Sequence, residues 1–177
     1  VFPESGHAPM TVAAWEEILL TYRSYGINHV RFHSHCPPEA AFTAADKLGM
    51  LLQTELSHWD PKHALESEES FLYYKRELLC ILHHLANHPS FVMLTLGNEL
   101  HANETGHERM RMLLRLAKET DCTRLYANGS NTEYGAQGCD AVNDFYTTQM
   151  HLTSPLRATF ACQNKEKRRL EGYLNNQ

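Results

Sequence analysis

The sequence predicts an α/β fold of parallel strands covered by helices, either a doubly wound sheet or a (β/α)8 barrel. Three observations predict it. Helical and strand patterns alternate along the chain from Thr11 to Asn128. The strand segments are apolar along their length rather than at every second residue, as strands covered on both faces are. Polar and ionisable residues gather just where each strand segment stops, which is where both folds place their chemistry.

Each element has its own signal. Thr11 caps a helix that carries Trp15, Ile18, Leu19 and Tyr22 on one face, and Gly26 ends it. Residues 27–33 follow as a strand. Pro37-Pro38 opens a second helix, because proline fits the first helical position. Its Ala41, Ala44, Ala45 and Leu48 have the i, i+3, i+4, i+7 spacing of a packed face. Gly49 ends that helix, and residues 50–55 form a short strand. Ser67 before Glu68 and Glu69 marks the third helix, with a capping hydroxyl and charges matched to the helix dipole. It buries Phe71, Leu78, Leu82 and Leu85 and stops before Pro89. Residues 91–96 are the next apolar strand. A fourth helix over 106–120 carries Met110, Leu113, Leu114 and Ala117 on one side, and 125–128 is a short strand. A further strand is expected within 141–150 and a helix over 165–174. No repeat or linker divides the chain, so 1–177 is expected to be one domain.

Composition narrows the function. The 177 residues carry 16 Lys+Arg against 21 Asp+Glu, a formal charge of -5. That acidic balance argues against nucleic acid as a partner. No apolar run approaches the roughly 18 residues that span a bilayer, so no membrane partner is expected. The N-terminus shows neither a basic start nor an apolar core of a signal peptide, and Val1 in place of an initiating Met points to a piece of a longer polypeptide. Cys36, Cys80, Cys122, Cys139 and Cys162 show no CxxC spacing and are expected to be mostly free, buried thiols. Neither GxGxxG nor a Walker A loop occurs, so no nucleotide cofactor is expected, and no other cofactor.

The strand ends carry the candidate chemistry. The first reads Arg31-Phe32-His33-Ser34-His35-Cys36, and the second Gln53-Thr54-Glu55, followed by His58 and Trp59. The third reads Gly97-Asn98-Glu99 and the fourth Asn128-Gly129-Ser130-Asn131, while Asp144, Tyr146, Gln149 and His151 lie near the last. Gly-Asn-Glu is the sharpest feature. A carboxyl sheltered at a barrel mouth holds its proton more readily, which suits a proton donor. The amide of Asn98 both donates and accepts, as a sugar hydroxyl requires, and Gly97 lets the backbone turn or approach closely. A rival reading takes His33 and His35 as metal ligands of an amidohydrolase-like barrel, because residues two apart on a strand share a face. Glu55 or His58 would supply a further ligand, but this reading also needs histidines on later strand ends; residues 125–131 offer none, and His151 alone does not complete the set. His83, His84 and His88 are expected on a helix, at its surface or end.

Residues 26–39 (GINHVRFHSHCPPE), 44–49 (AADKLG) and 52–55 (LQTE) resemble glycoside hydrolase family 2, which includes β-galactosidases and β-glucuronidases. Residues 87–90 (NHPS) and 96–100 (LGNEL) are similar to the strand that carries the family's acid/base glutamate, and 120–126 (TDCTRLY) is similar to its Asp-x-x-Arg segment. The resemblance implies a (β/α)8 barrel, incomplete here. A whole one needs roughly 250 residues, and about five of its eight βα units are visible. It implies a retaining hydrolase of β-linked glycans with Glu99 as general acid/base. Asn98, His33, His35, Arg31, Glu55, Trp59 and Tyr146 would bind substrate. Arg31 would point inward and brace a carboxylate. Glu55 would meet sugar hydroxyls or that guanidinium. Trp59 would stack on a sugar or close its loop, and Asn128 and Gln149 are weaker candidates. The nucleophile belongs on a strand beyond Gln177, so this chain alone is expected to be inactive. The alternative to catalysis is a carbohydrate-binding remnant. An open barrel is expected to self-associate or to require the rest of itself. Relatives that degrade glycans favour a periplasmic or secreted location.

Overall fold

The computed structural model describes residues 2, 5–130 and 141–145. Four helices and four strands alternate: α1 (Val12–Ser24), β1 (His29–Arg31), α2 (Glu39–Leu48), β2 (Leu51–Glu55), α3 (Glu68–His84), β3 (Phe91–Thr95), α4 (Glu104–Thr120) and β4 (Leu125–Ala127). The strands form one sheet in the order β1-β2-β3-β4, and every pairing is parallel. Consecutive parallel neighbours joined through helices make an arc of a (β/α)8 barrel rather than a doubly wound sheet, whose order reverses at a switch point. The expected fifth strand falls largely outside the described residues, and its described part, 141–145, contains no strand. The helix expected over 165–174 also lies outside them.

The start signals act as their chemistry dictates. The Thr11 hydroxyl accepts from Ala14 N, and Ser67 Oγ accepts from Ser70 N at 3.1 Å. Two starts differ from the sequence reading. Pro38 occupies the N-cap of α2, with Glu39 as the first helical residue, so the proline ends the approach instead of opening the helix. Helix α4 begins two residues before Gly106, because Asn103 Oδ1 accepts from Gly106 N at 3.1 Å and caps it. Gly49 closes α2 in the left-handed conformation, at φ 66°.

Helix faces and the outer side of the sheet share one apolar cluster. Trp15 and Leu19 of α1, the alanines and Phe42 of α2, Leu78 and Leu82 of α3, and Met110, Leu113 and Leu114 of α4 belong to it with Leu52, Leu94 and Tyr126. Each fully buried leucine contributes on the order of 2 kcal/mol. The alanine-rich face of α2 lets Phe42 reach the Phe91 ring, centroids 5.8 Å apart in an edge-on arrangement. At the strands' amino end, Arg124 ties three segments together. It pairs with Asp121 at 3.0 Å and donates to the carbonyls of Ala86, His88 and Phe91. The Asp-x-x-Arg segment is thus a clamp far from the strands' carboxyl ends. His88 lies beyond the end of α3, not on it. It is half-buried, with Nδ1 2.6 Å from Asp46 Oδ2. Exposed His84, on the last turn of α3, meets Glu39 at 3.1 Å.

The inner side of the arc is only partly covered. Leu51 and Leu125, two residues before Gln53 and Ala127 on the same face, are 41% and 47% exposed. Among the described residues no helix is long and apolar enough to cross a membrane. Cys36, Cys80 and Cys122 are free thiols, but they are not buried as expected: Cys36 is half-buried, and Cys80 and Cys122 are exposed.

Candidate active site

Glu55 is the centre of the polar end of the sheet. Period-two alternation on β2 sends Gln53 and Glu55 inward. The Glu55 side chain has no exposure and collects four donors: Arg31 Nε at 2.7 Å, Ser34 N at 2.6 Å, Thr95 Oγ1 at 3.0 Å and Ser130 Oγ at 2.6 Å. One carboxylate thus joins the ends of all four strands. The burial of its charge is offset by the guanidinium and by complete hydrogen bonding. Arg31 also reaches across the arc, donating from its terminal nitrogen to Asn98 Oδ1 at 2.6 Å. The inward, carboxylate-bracing placement of Arg31 follows the sequence reading, and Glu55 meets this guanidinium.

The Gly-Asn-Glu segment extends the sheet past β3. Asn98 bridges in parallel to Trp59 on one side and to Ser130 on the other. Asn98 N donates to His58 O at 3.0 Å, and Glu99 N donates to Ser130 O at 2.8 Å. Gly97 makes the approach possible. Its φ is +146°, and a Cβ there would lie 2.3 Å from His58 O and 2.8 Å from His58 Cβ. Glu99 itself adopts φ 52°. A left-handed non-glycine residue costs on the order of 1–2 kcal/mol, and such strain concentrates at functional positions. Glu99 is half-buried as a residue, and its carboxyl accepts from the Trp59 indole Nε1 at 2.9 Å in an exposed contact.

The remaining candidates divide. His33 and His35 lie at the rim and are exposed, with His35 Nδ1 3.0 Å from His33 O. Neither is on a strand. The strand expected over 27–33 is confined to His29–Arg31, and Ser34, at φ 55°, turns the chain so that its amide meets Glu55. The alternation on which the metal reading depends therefore fails, and the described residues contain no group of three His, Cys, Asp or Glu able to hold a metal. Asn128 is buried, and its Oδ1 has no hydrogen-bond partner among the described residues. Asp144 leaves the site: it accepts from Tyr126 N at 2.9 Å and pairs with Lys118 at 2.6 Å. Tyr146, Gln149, His151 and Asn131 lie outside the described residues. Sequence reasoning missed Ser34, Thr95 and Ser130. Period two back from Gly97 points to Thr95 and the fourth strand end contains Ser130, whereas nothing local marks the Ser34 amide.

His58 supports this segment from behind. Its ring is buried and stacks on Tyr74, centroids 3.9 Å apart. Burial lowers its pKa to about 4, against the weaker opposing effects of Asp60 and a hydrogen bond to the Leu96 backbone. Burial likewise lowers the pKa of His29. The folded chain keeps the His58 ring neutral while the unfolded chain protonates near 6.5, so its contribution is intact above that pH and is lost as pH falls toward 4. Denaturant unfolding should show this loss, up to about 3 kcal/mol from His58. His58→Phe should flatten the slope over that range; an unchanged slope would show that this ring does not carry it.

A model described as the TIM barrel domain of glycosyl hydrolases family 2 matches residues 10–171, and the chain belongs to that family. Among solved structures it is similar to a β-glucuronidase of Parabacteroides merdae, with a TM-score of 0.67 and 22% identity over 80% of this chain and 18% of that one. It is similar to a GH2 β-galacturonidase of Eisenbergiella tayi bound to galacturonate, at a TM-score of 0.67 and 18% identity over 81% of this chain and 26% of that one. A β-glucuronidase of Bacteroides uniformis matches at a TM-score of 0.66 and 23% identity, over 79% of this chain and 18% of that one. The chain therefore spans about a quarter or less of these proteins. No curated protein matches it.

Proposed function

We propose that this chain carries the acid/base half of the catalytic pair of a retaining glycoside hydrolase acting on β-linked glycans. The observation that carries the reading is Glu99. It is a half-buried residue with a strained backbone at the carboxyl end of a barrel strand, held by the hydrogen bonds of its own amide to Ser130 O and of the preceding amide to His58 O, beside a braced Asn98. A carboxyl so placed gives its proton to the leaving glycosidic oxygen and then takes one from the attacking water. The second carboxylate must stand about 5–5.5 Å away to attack the anomeric carbon, and by family resemblance it lies on a later strand. Asn98, and His33 and His35 at the rim, would hold sugar hydroxyls. Glu55, enclosed by its four donors, supports the reading as the residue that orients Arg31 and through it Asn98. The glucuronidase and galacturonidase neighbours make acidic β-glycosides the first substrates to try.

The test is hydrolysis by a longer chain that includes the following strands. It should release sugar with retained configuration, and Glu99→Gln should lower kcat by about 10²–10⁴-fold. The 177-residue chain alone should give no turnover. Full activity of Glu99→Gln would refute the assignment, and sugar binding without hydrolysis in the longer chain would favour a carbohydrate-binding module.

A further inference from the structure

We infer that Trp59 is a positioning residue for the proton-transfer carboxyl: its indole N–H holds Oε2 of Glu99 as an accepting oxygen. The inference rests on the glycosidase reading above and deepens it. An indole N–H is a donor only. The carbonyl oxygen of a carboxylic acid accepts better than its hydroxyl oxygen. Whether Glu99 is ionised or protonated, the oxygen 2.9 Å from Trp59 Nε1 therefore keeps an acceptor role toward the indole.

The contact is built by the backbone. The parallel bridge between Trp59 and Asn98 and the hydrogen bond from Asn98 N to His58 O set residues 59 and 99 side by side. Glu99 N is fixed from the opposite side by Ser130 O. Neither partner is free to slide along the strand direction. Trp59 is nevertheless 58% exposed, so holding the carboxyl through its ring edge leaves much of the side chain accessible to solvent. Among the described residues, Arg31 is paired with Glu55 and reaches Asn98, the residue before Glu99, while His58 and Asp60 flank Trp59 in the chain.

The chain has two tryptophans, which makes the contact directly readable. Trp15 Nε1 donates to Pro9 O at 2.8 Å and serves as the internal reference. In a chain labelled with ¹⁵N-tryptophan at pH 7, Trp59→Phe identifies the Trp59 indole resonance. Glu99→Gln should move that resonance upfield and quicken its exchange with water, leaving Trp15 unmoved; Glu99→Ala should do the same. A Trp59 resonance and exchange rate that both substitutions leave unchanged would overturn the contact. In the longer chain, Trp59→Phe should slow a glycoside with a poor leaving group, which needs the proton, more than one with a good leaving group. Equal slowing of both would overturn the positioning role. Failure of the glycosidase reading appears separately, as no hydrolysis of either glycoside by the unsubstituted longer chain.

Discussion

Glu55→Gln is expected to cost the fold about 3 kcal/mol, the low end of the range for removing one half of a buried ion pair, because the Arg31 side chain left behind is 28% exposed. The glutamine is nearly the same shape, so the loss is electrostatic and not a cavity. The carboxylate now accepts from Arg31, Thr95 and Ser130 at one oxygen and from the Ser34 amide at the other. An amide group turns one of those acceptors into a donor, so whichever way it faces, N–H meets N–H or O–H. Arg31 is left with Asn98 Oδ1 as a neutral partner. Urea unfolding at pH 7 measures the effect. A cost under about 1 kcal/mol would show that the four strand ends are not joined through this side chain.

Gly97→Ala should be as damaging, at about 3 kcal/mol or more, from overpacking together with backbone strain. The new methyl would meet the His58 carbonyl oxygen at 2.3 Å, and that oxygen is the acceptor of Asn98 N. Relief requires the two segments to separate, which breaks this bond and moves Glu99. Gly49→Ala is the control. Its φ is +66° with nothing within 4 Å of the added carbon, so only the left-handed penalty of about 1–2 kcal/mol applies. Equal costs at the two sites would show that close approach is not what Gly97 provides.

The helices were legible because their signals are local. Thr11 and Ser67 cap where expected, and the buried residues of α4 repeat at helical spacing. The strands were found but drawn too long, since apolar character continues past the last ladder bond. Residues 27–33 contain a three-residue strand, because pairing stops where Ser34 turns the chain. Gly97 was recognised for its freedom to approach a neighbour, although the neighbour, His58, belongs to the loop after another strand.

The order of elements, the parallel sheet and the carboxyl at position 99 follow from the sequence alone, because capping, periodicity and strand-end polarity act over a few neighbouring residues. Which groups touch was decided only in three dimensions. Glu55 binds partners 21 to 75 residues away, and Trp59 donates to a carboxyl 40 residues on. The parallel register brings such residues together across separate loops, and no local pattern encodes that distance.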